Sequence, residues 1–218
     1  MGGNPLRQAW RPPQLTRSVC GSSSVMQRKK RYRVQASATT KAYVYCWIAA
    51  REALGIAQRQ RRASFYFRMM AGAFSAFTVE AYLNHLGQKR VRDWPAFERR
   101  LGPREKLLFL GSALGLSIDT TKRPFHTLDA MLKLRNALAH GATGTLRSDR
   151  EVTDPDDPSA NWPEPRWKKM CELTSVTKMV GDAEAILRDL HQQAGLEPRD
   201  PLASPGFAFS RVSELNDD

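Results

Sequence analysis

The sequence predicts an all-α bundle of four or five helices, and three observations carry that expectation. Apolar residues recur at helical rather than alternating spacing through the middle of the chain, as at Tyr43, Trp47, Ala50 and Leu54. Helix start and stop residues bracket each periodic stretch, among them Thr39 and Thr40, Pro103, Pro124, Gly87, Gly115 and Gly195. No convincing sheet pattern stands between them, although one short strand is allowed for between Ala142 and Pro165.

The elements follow in order. Thr39 or Thr40 caps a first helix over about Lys41 to Arg62. A second runs from about Ser64 to Leu86 and stops at Gly87. It is apolar nearly all round (Phe67, Met70, Phe74, Phe77, Val79, Leu83, Leu86), the mark of a central, buried helix. The pattern leaves open whether these two helices are continuous or broken near Arg61 and Arg62. Trp94-Pro95 to Gly102 is a short helical turn, and Pro103 opens a helix to Gly115 with Glu105 in its first turn. After a loop at Asp119, Thr120 and Thr121, Pro124 or Phe125 begins a helix that closes at His140-Gly141. Residues 142–172 read as an excursion, and Thr174 or Ser175 caps a last helix to about Gln193.

These boundaries give a basic leader over residues 1–35, a helical domain over 36–195 and a Pro-rich tail over 196–218. The leader is expected to be disordered. It holds Arg7, Arg11, Arg17, Arg28, Lys29, Lys30, Arg31 and Arg33 and no acid, so it carries +8 of the net +12. Such a tail can add affinity for phosphate backbones through counterion release, or it can be a solvated leader. It resembles an organellar transit peptide in composition, and Met26 offers an alternative start. It lacks the apolar segment of a secretory signal. No apolar run approaches the roughly 18 residues of a membrane span, since Arg68, Glu80 and Asn84 interrupt the best one. Cys20, Cys46 and Cys171 form no C-x-x-C pair, so neither a disulfide framework nor a cysteine zinc site is indicated, and the reducing cytoplasm is the expected compartment.

One constellation carries chemistry. At about 100° per residue, Leu128, Met131, Leu132, Leu138 and Ala139 share an apolar arc with Arg135 at its middle. A guanidinium there costs several kcal/mol unless an anion pairs with it or it faces a cleft. Asn136 and His140 lie on one flank, and the helix C-terminus favours a positive charge on His140. Two readings follow. One is a structural Arg135 paired with Glu80, the sole acid within the apolar second helix; the other is an active centre.

Leu134-Arg-Asn-Ala-Leu-Ala-His-Gly141 resembles the R-x4-6-H motif of the HEPN superfamily in the form with a polar residue after the Arg. Ala73-Phe-Ser-Ala-Phe-Thr-Val-Glu-Ala-Tyr-Leu-Asn84 resembles the helix that precedes that motif, where a Glu and an Asn recur. The Pro103-Arg-Glu-Lys-Leu107 and Pro124-Phe-x-x-Leu128 helix starts keep the same order of parts, so the resemblance covers about Lys41 to Gly141. It implies a metal-independent endoribonuclease of a toxin, defence or stress system, with no cofactor, acting on RNA as a homodimer whose motif-bearing helices face each other. An antitoxin or other neutralising protein is an implied partner, and a membrane is not. Residue by residue, Arg135 would hold the scissile phosphate and His140 would act as general base or acid. Asn136 would orient either, Glu80 would fix Arg135 from behind, and Asn84 would support. Some members keep the fold as a non-catalytic module that binds a protein or nucleotide. Ala142 stands where many toxin members carry a tyrosine modified by a partner nucleotidyltransferase, so that regulation is not implied.

Other signals rank lower. His85, His126 and His191 are isolated in sequence, and surface or helix-end roles are expected of them. Gly111 and Gly115 suit close helix packing, and Gly141-Ala-Thr-Gly144 lacks the Lys of a phosphate loop. Asp154, Asp156 and Asp157 suit a solvated turn rather than a metal site. Trp162 and Trp167 beside Arg166, Lys168 and Lys169 either pack the excursion on the bundle or stack nucleobases.

Overall fold

The structure, a computed structural model, describes residues 31–147, 163–196 and 200–215. Nine elements follow in chain order: β1 (Arg31–Thr40), α1 (Ala42–Arg59), α2 (Ser64–Arg90), α3 (Trp94–Glu98), α4 (Pro103–Leu114), α5 (Thr127–Ala139), α6 (Arg166–Met170), α7 (Leu173–Gln193) and β2 (Gly206–Leu215). The described residues are thus mostly helical, with one two-stranded sheet, β1 on β2. Contacts divide the chain into residues 37–209, which hold all seven of these helices, and a unit of residues 1–36 and 210–218. The described part of the latter is strand, residues 31–36 and 210–215.

The mostly helical architecture agrees with the expected all-α class, and the small sheet is an addition to it. Tyr32, Val34, Ala36 and Ala38 alternate with Arg33, Gln35, Ser37 and Thr39, the period of a strand. The boundary drawn at residue 35 cuts through β1, and β2 lies within the segment read as tail. Their described side chains are exposed, so the pair adds little to the core. The expectation of a disordered leader over residues 1–30 lies outside the described residues, as does Cys20.

Four long helices alternate in direction. The chain breaks between α1 and α2 at residues 60–63, where Gln60 is extended and Ala63 takes φ 59°, which settles the question left open by the pattern. The Trp47 indole donates to Glu184 on α7, whereas Leu54 and Gln58 share a groove with Val180, so α1 and α7 run oppositely. Gly72 of α2 meets Val176 and Met179 of α7, and Tyr82 meets His191, so α2 and α7 run together. Thr127 of α5 meets Asp182, and Ala130 lies near Lys178, so α5 opposes both. The α1–α2 turn, the C-terminus of α5 and the N-terminus of α7 therefore share one end of the bundle.

Core composition explains this packing. Ala50, Ala53 and Ala57 form a small-residue seam on α1 that admits α2 closely. Between the helices lie Tyr43, Tyr82, Leu83, Leu86, Leu107, Leu110, Leu128, Met131, Leu134, Ile186 and Leu187, all essentially inaccessible. Each aliphatic side chain so buried contributes about 1.5–3 kcal/mol. Helix α2 does not stop at Gly87 but continues a turn further to Arg90. The Trp94 ring lies against Gly87, in the space a Cβ would fill (2.2 Å to the nearest ring atoms), so this glycine serves packing rather than capping. Gly115 does cap α4, at φ 65°, and Ile118 fills the space over Gly111.

Candidate functional site

Helix α5 starts at Thr127 rather than Pro124 or Phe125, because residues 124–126 form turns in which the Thr127 N–H bonds to the Pro124 carbonyl. Its buried residues are Leu128, Met131 and Leu134. The seam is thus turned from the expected arc. Leu132 and Leu138 are half-buried, and Ala139 is exposed. Leu134 causes the turn, since its Cδ2 occupies the space above Gly72 (2.5 Å from a built Cβ) and draws α5 onto α2. Arg135 comes to the edge of the seam instead of its centre, with 18% of its side chain exposed.

Long helical side chains lean toward the helix N-terminus, and because α5 opposes α2, that direction leads Arg135 along α2 to Glu80. Arg135 Nη2 donates to Glu80 Oε2 at 2.5 Å, and Nη1 donates to Asn136 Oδ1 at 2.9 Å. Arg135 Nε is buried and has no partner among the described residues. Asn136 is exposed, and its carbonyl accepts the His140 N–H at 2.9 Å. His140 is the exposed C-cap of α5, and its imidazole makes no hydrogen bond among the described residues.

The structure thus joins Arg135, Asn136 and Glu80 in one network, with His140 a turn beyond. Asn84 is not in it. Its Oδ1 is buried without a partner among the described residues, and it lines a groove with Lys41, Tyr43, His85, Gln88 and Glu98. The network can hold one guanidinium against a helix while leaving an imidazole in solvent. Each terminal nitrogen of Arg135 keeps a second N–H beyond its bond to Asn136 or Glu80, and these are the donors a phosphate would meet.

One feature escaped the sequence reading. His85 and His191, isolated in sequence, meet around Tyr43 and Tyr82. The Tyr82 hydroxyl and His191 Nδ1 are 3.0 Å apart, Tyr43 meets Tyr82 edge-on at 5.1 Å, and the Tyr43 and His85 rings are also 5.1 Å apart. Burial, then Lys89, Lys41 and His191, lowers the His85 pKa to about 4. Burial pushes the Tyr43 hydroxyl up to about 12, and burial with Tyr43 raises Tyr82. The signal was spacing: Tyr82 and His85 lie three apart on α2, but their partners come from α1 and α7. Trp167 packs on Phe65 at 6.2 Å, so α6 joins the bundle at the start of α2. Packing was the expected role of Trp167; Trp162 and Asp154, Asp156 and Asp157 lie outside the described residues.

Burial raises the pKa of both Cys46 and Cys171, with Arg68 opposing it at Cys171, so neither is an activated thiol. Among the described residues no group of three His, Cys, Asp or Glu side chains is placed to hold a metal, and no helix is long and apolar enough to cross a membrane. Compared with protein-family models, with curated proteins and with solved structures, the chain matches none.

Proposed function

We propose that the protein is a metal-independent endoribonuclease of the HEPN kind, with Arg135, Asn136 and His140 as its reacting group of residues. The observation that carries this reading is the Arg135 network. A guanidinium held at 2.5 Å by Glu80 and at 2.9 Å by Asn136 stands one turn before an exposed histidine at a helix end. In the reaction, the ribose 2′-oxygen forms a bond to the adjacent phosphorus and the bond to the 5′-oxygen breaks. The 2′-OH proton goes to a base, and the leaving oxygen takes a proton from an acid, giving a cyclic phosphate and a 5′-hydroxyl. An imidazole, which can accept a proton on one ring nitrogen and donate one from the other, can serve either transfer. The Arg135 fork would stabilise the added negative charge on phosphorus, Asn136 would orient phosphate or imidazole, and Glu80 would hold the fork in place. A homodimer with α5 facing α5 would complete the cleft, and a toxin, defence or stress role with a neutralising partner belongs to the same proposal.

A second reading has its own support. Glu80 and Asn136 already occupy both terminal nitrogens of Arg135, and nothing among the described residues orients the His140 ring. That arrangement also suits a non-catalytic module binding a protein or nucleotide. Incubation of the purified chain with RNA in EDTA decides between them. Cleavage that falls at least ~100-fold in Arg135→Ala and in His140→Ala is expected of the nuclease. Equal cleavage in all three proteins, or none in any, sinks it.

A further inference from the structure

We propose that the end of the bundle that carries His140 is a binding surface for single-stranded RNA, formed by the α1–α2 turn, the first turns of α2, and α6. The choice of RNA rests on the ribonuclease reading above; the surface rests on its own geometry.

Helix direction collects the charges. The end of α1 supplies Arg59, the α1–α2 turn Arg61 and Arg62, the second turn of α2 Arg68, and α6 Arg166, Lys168 and Lys169. Among the described residues, Glu164, which pairs with Lys168, and Glu172 stand against these. Arg61, Arg62, Arg166 and Lys169 are exposed, and none has a carboxylate partner among the described residues. Arg68 Nε is buried and unpartnered among them. At the opposite end the cations Arg104, Lys122 and Arg123 are held by Asp129, Asp119 and Asp182. Arg99 and Arg100 there are exposed without a carboxylate partner among the described residues, but no ring as open as Tyr66 lies beside them.

Aromatic rings lie among these charges. Phe65 is central, with Tyr66 edge-on at 5.6 Å, Trp167 at 6.2 Å, and Lys168 Nζ 5.7 Å from its ring centroid. These contacts place α6 beside the start of α2, so the two basic groups form one surface. Tyr66 is 62% exposed, the most open aromatic ring on the helices. Free cations beside an open ring are what a single strand uses: phosphates neutralise the cations, and a base stacks on the π-face. A duplex keeps its base faces covered, and an acidic peptide has no base to stack, so the ring favours a single strand. His140 closes α5 at this same end, which lets a strand cleaved there continue across the surface.

The test measures binding without cleavage. The full chain carrying Arg135→Ala is titrated into a labelled single-stranded RNA oligonucleotide, and anisotropy is read at several salt concentrations. Adding Arg61→Ser with Arg62→Ser, or Arg166→Ser with Lys169→Ser, is expected to weaken binding about 10-fold. Each pair should also flatten the log–log salt slope by about 1–1.4, at ~0.7 per phosphate contact. Adding Tyr66→Ala is expected to weaken binding about 10-fold with the slope unchanged. Arg99→Ser with Arg100→Ser, an equal charge loss at the other end, is expected to change affinity less than 2-fold. Patch variants that bind like their parent overturn the surface, and so does an equal loss in the Arg99, Arg100 control. Tighter binding of duplex RNA, or displacement by polyglutamate more readily than by RNA, also overturns it. If binding maps to the surface while the wild-type chain cleaves no RNA, the surface stands and the nuclease reading falls. If cleavage depends on Arg135 and His140 while patch variants bind normally, the reverse holds.

Discussion

Glu80 and Arg135 bridge α2 and α5 through a 2.5 Å hydrogen bond at the rim of the core, where 28% and 18% of their side chains remain exposed. That burial places the pair between a surface ion pair, worth about 0–1 kcal/mol, and a fully buried one, whose breakage costs about 3–5 kcal/mol. Glu80→Gln is therefore expected to destabilise by about 1–2 kcal/mol. Arg135→Met should lose less, because it replaces a charge at the edge of an apolar seam. A double-mutant cycle by urea unfolding measures the coupling. A coupling indistinguishable from zero would mean that Glu80 does not hold Arg135.

This pair also shows how far the sequence could be read. Glu80 was legible as the partner because it is the one acid within the apolar part of α2, and the period of 3.6 put Arg135 near the seam. The rotation of the seam was not legible, because Leu134 is drawn in by the absence of a side chain on Gly72, sixty-two residues away. Helices were readable because their apolar periods and caps are local. Gly87 was misread for the opposite reason: its local context is that of a cap, and the Trp94 ring that requires it arrives from the next element. The β1–β2 sheet was hidden by charge. The alternation of Tyr32 and Val34 sits in a run of arginines, and its partner strand begins at residue 206.

Asp182 is expected to be a stability centre remote from the candidate site. Its carboxylate is 6% exposed and accepts from Arg123 Nε and Nη2 and from the Thr127 hydroxyl, joining the entry of α5 to α7. Asp182→Ala should cost about 2–3 kcal/mol by removing the shared acceptor of Arg123 and the half-buried Thr127 hydroxyl and freeing the α5 entry. For a chain of this size that lowers Tm by about 5–10 °C. A melting temperature within 1 °C of wild type would show that water replaces these bonds.

His85 should make stability fall in mild acid. Its folded pKa of about 4 lies below the ~6.5 of an unfolded imidazole. Between those values the unfolded chain takes the proton and the folded chain does not. The stability present above pH ~6.5 is therefore lost as pH falls toward 4. Burial against Tyr43 and Tyr82 acts most against protonation in the fold, and Lys89, Lys41 and His191 add to it. Solvent screening of this half-buried ring limits the loss to about 2 kcal/mol. His85→Gln should flatten the acid limb of the urea-unfolding profile, and a proton NMR titration should place the His85 midpoint near 4. A midpoint at 6 or above would remove this account of the acid limb.

Two glycines within helices should respond to alanine with opposite signs. Alanine gains up to ~1 kcal/mol over glycine in helix propensity wherever space permits. Gly181 on α7 is exposed, and nothing lies within 4 Å of a Cβ built there, so Gly181→Ala should stabilise by about that amount. Gly87 on α2 has Trp94 ring atoms 2.2 Å from the same point, and Trp94 is only 1% exposed, so the ring has nowhere to retreat. Overpacking of this kind costs about 1–3 kcal/mol or more. It exceeds the propensity gain, and Gly87→Ala should lose about 1–2 kcal/mol net. Urea midpoints of the two variants, measured together, test the packing. If Gly87→Ala rises as Gly181→Ala does, Trp94 is not seated against α2.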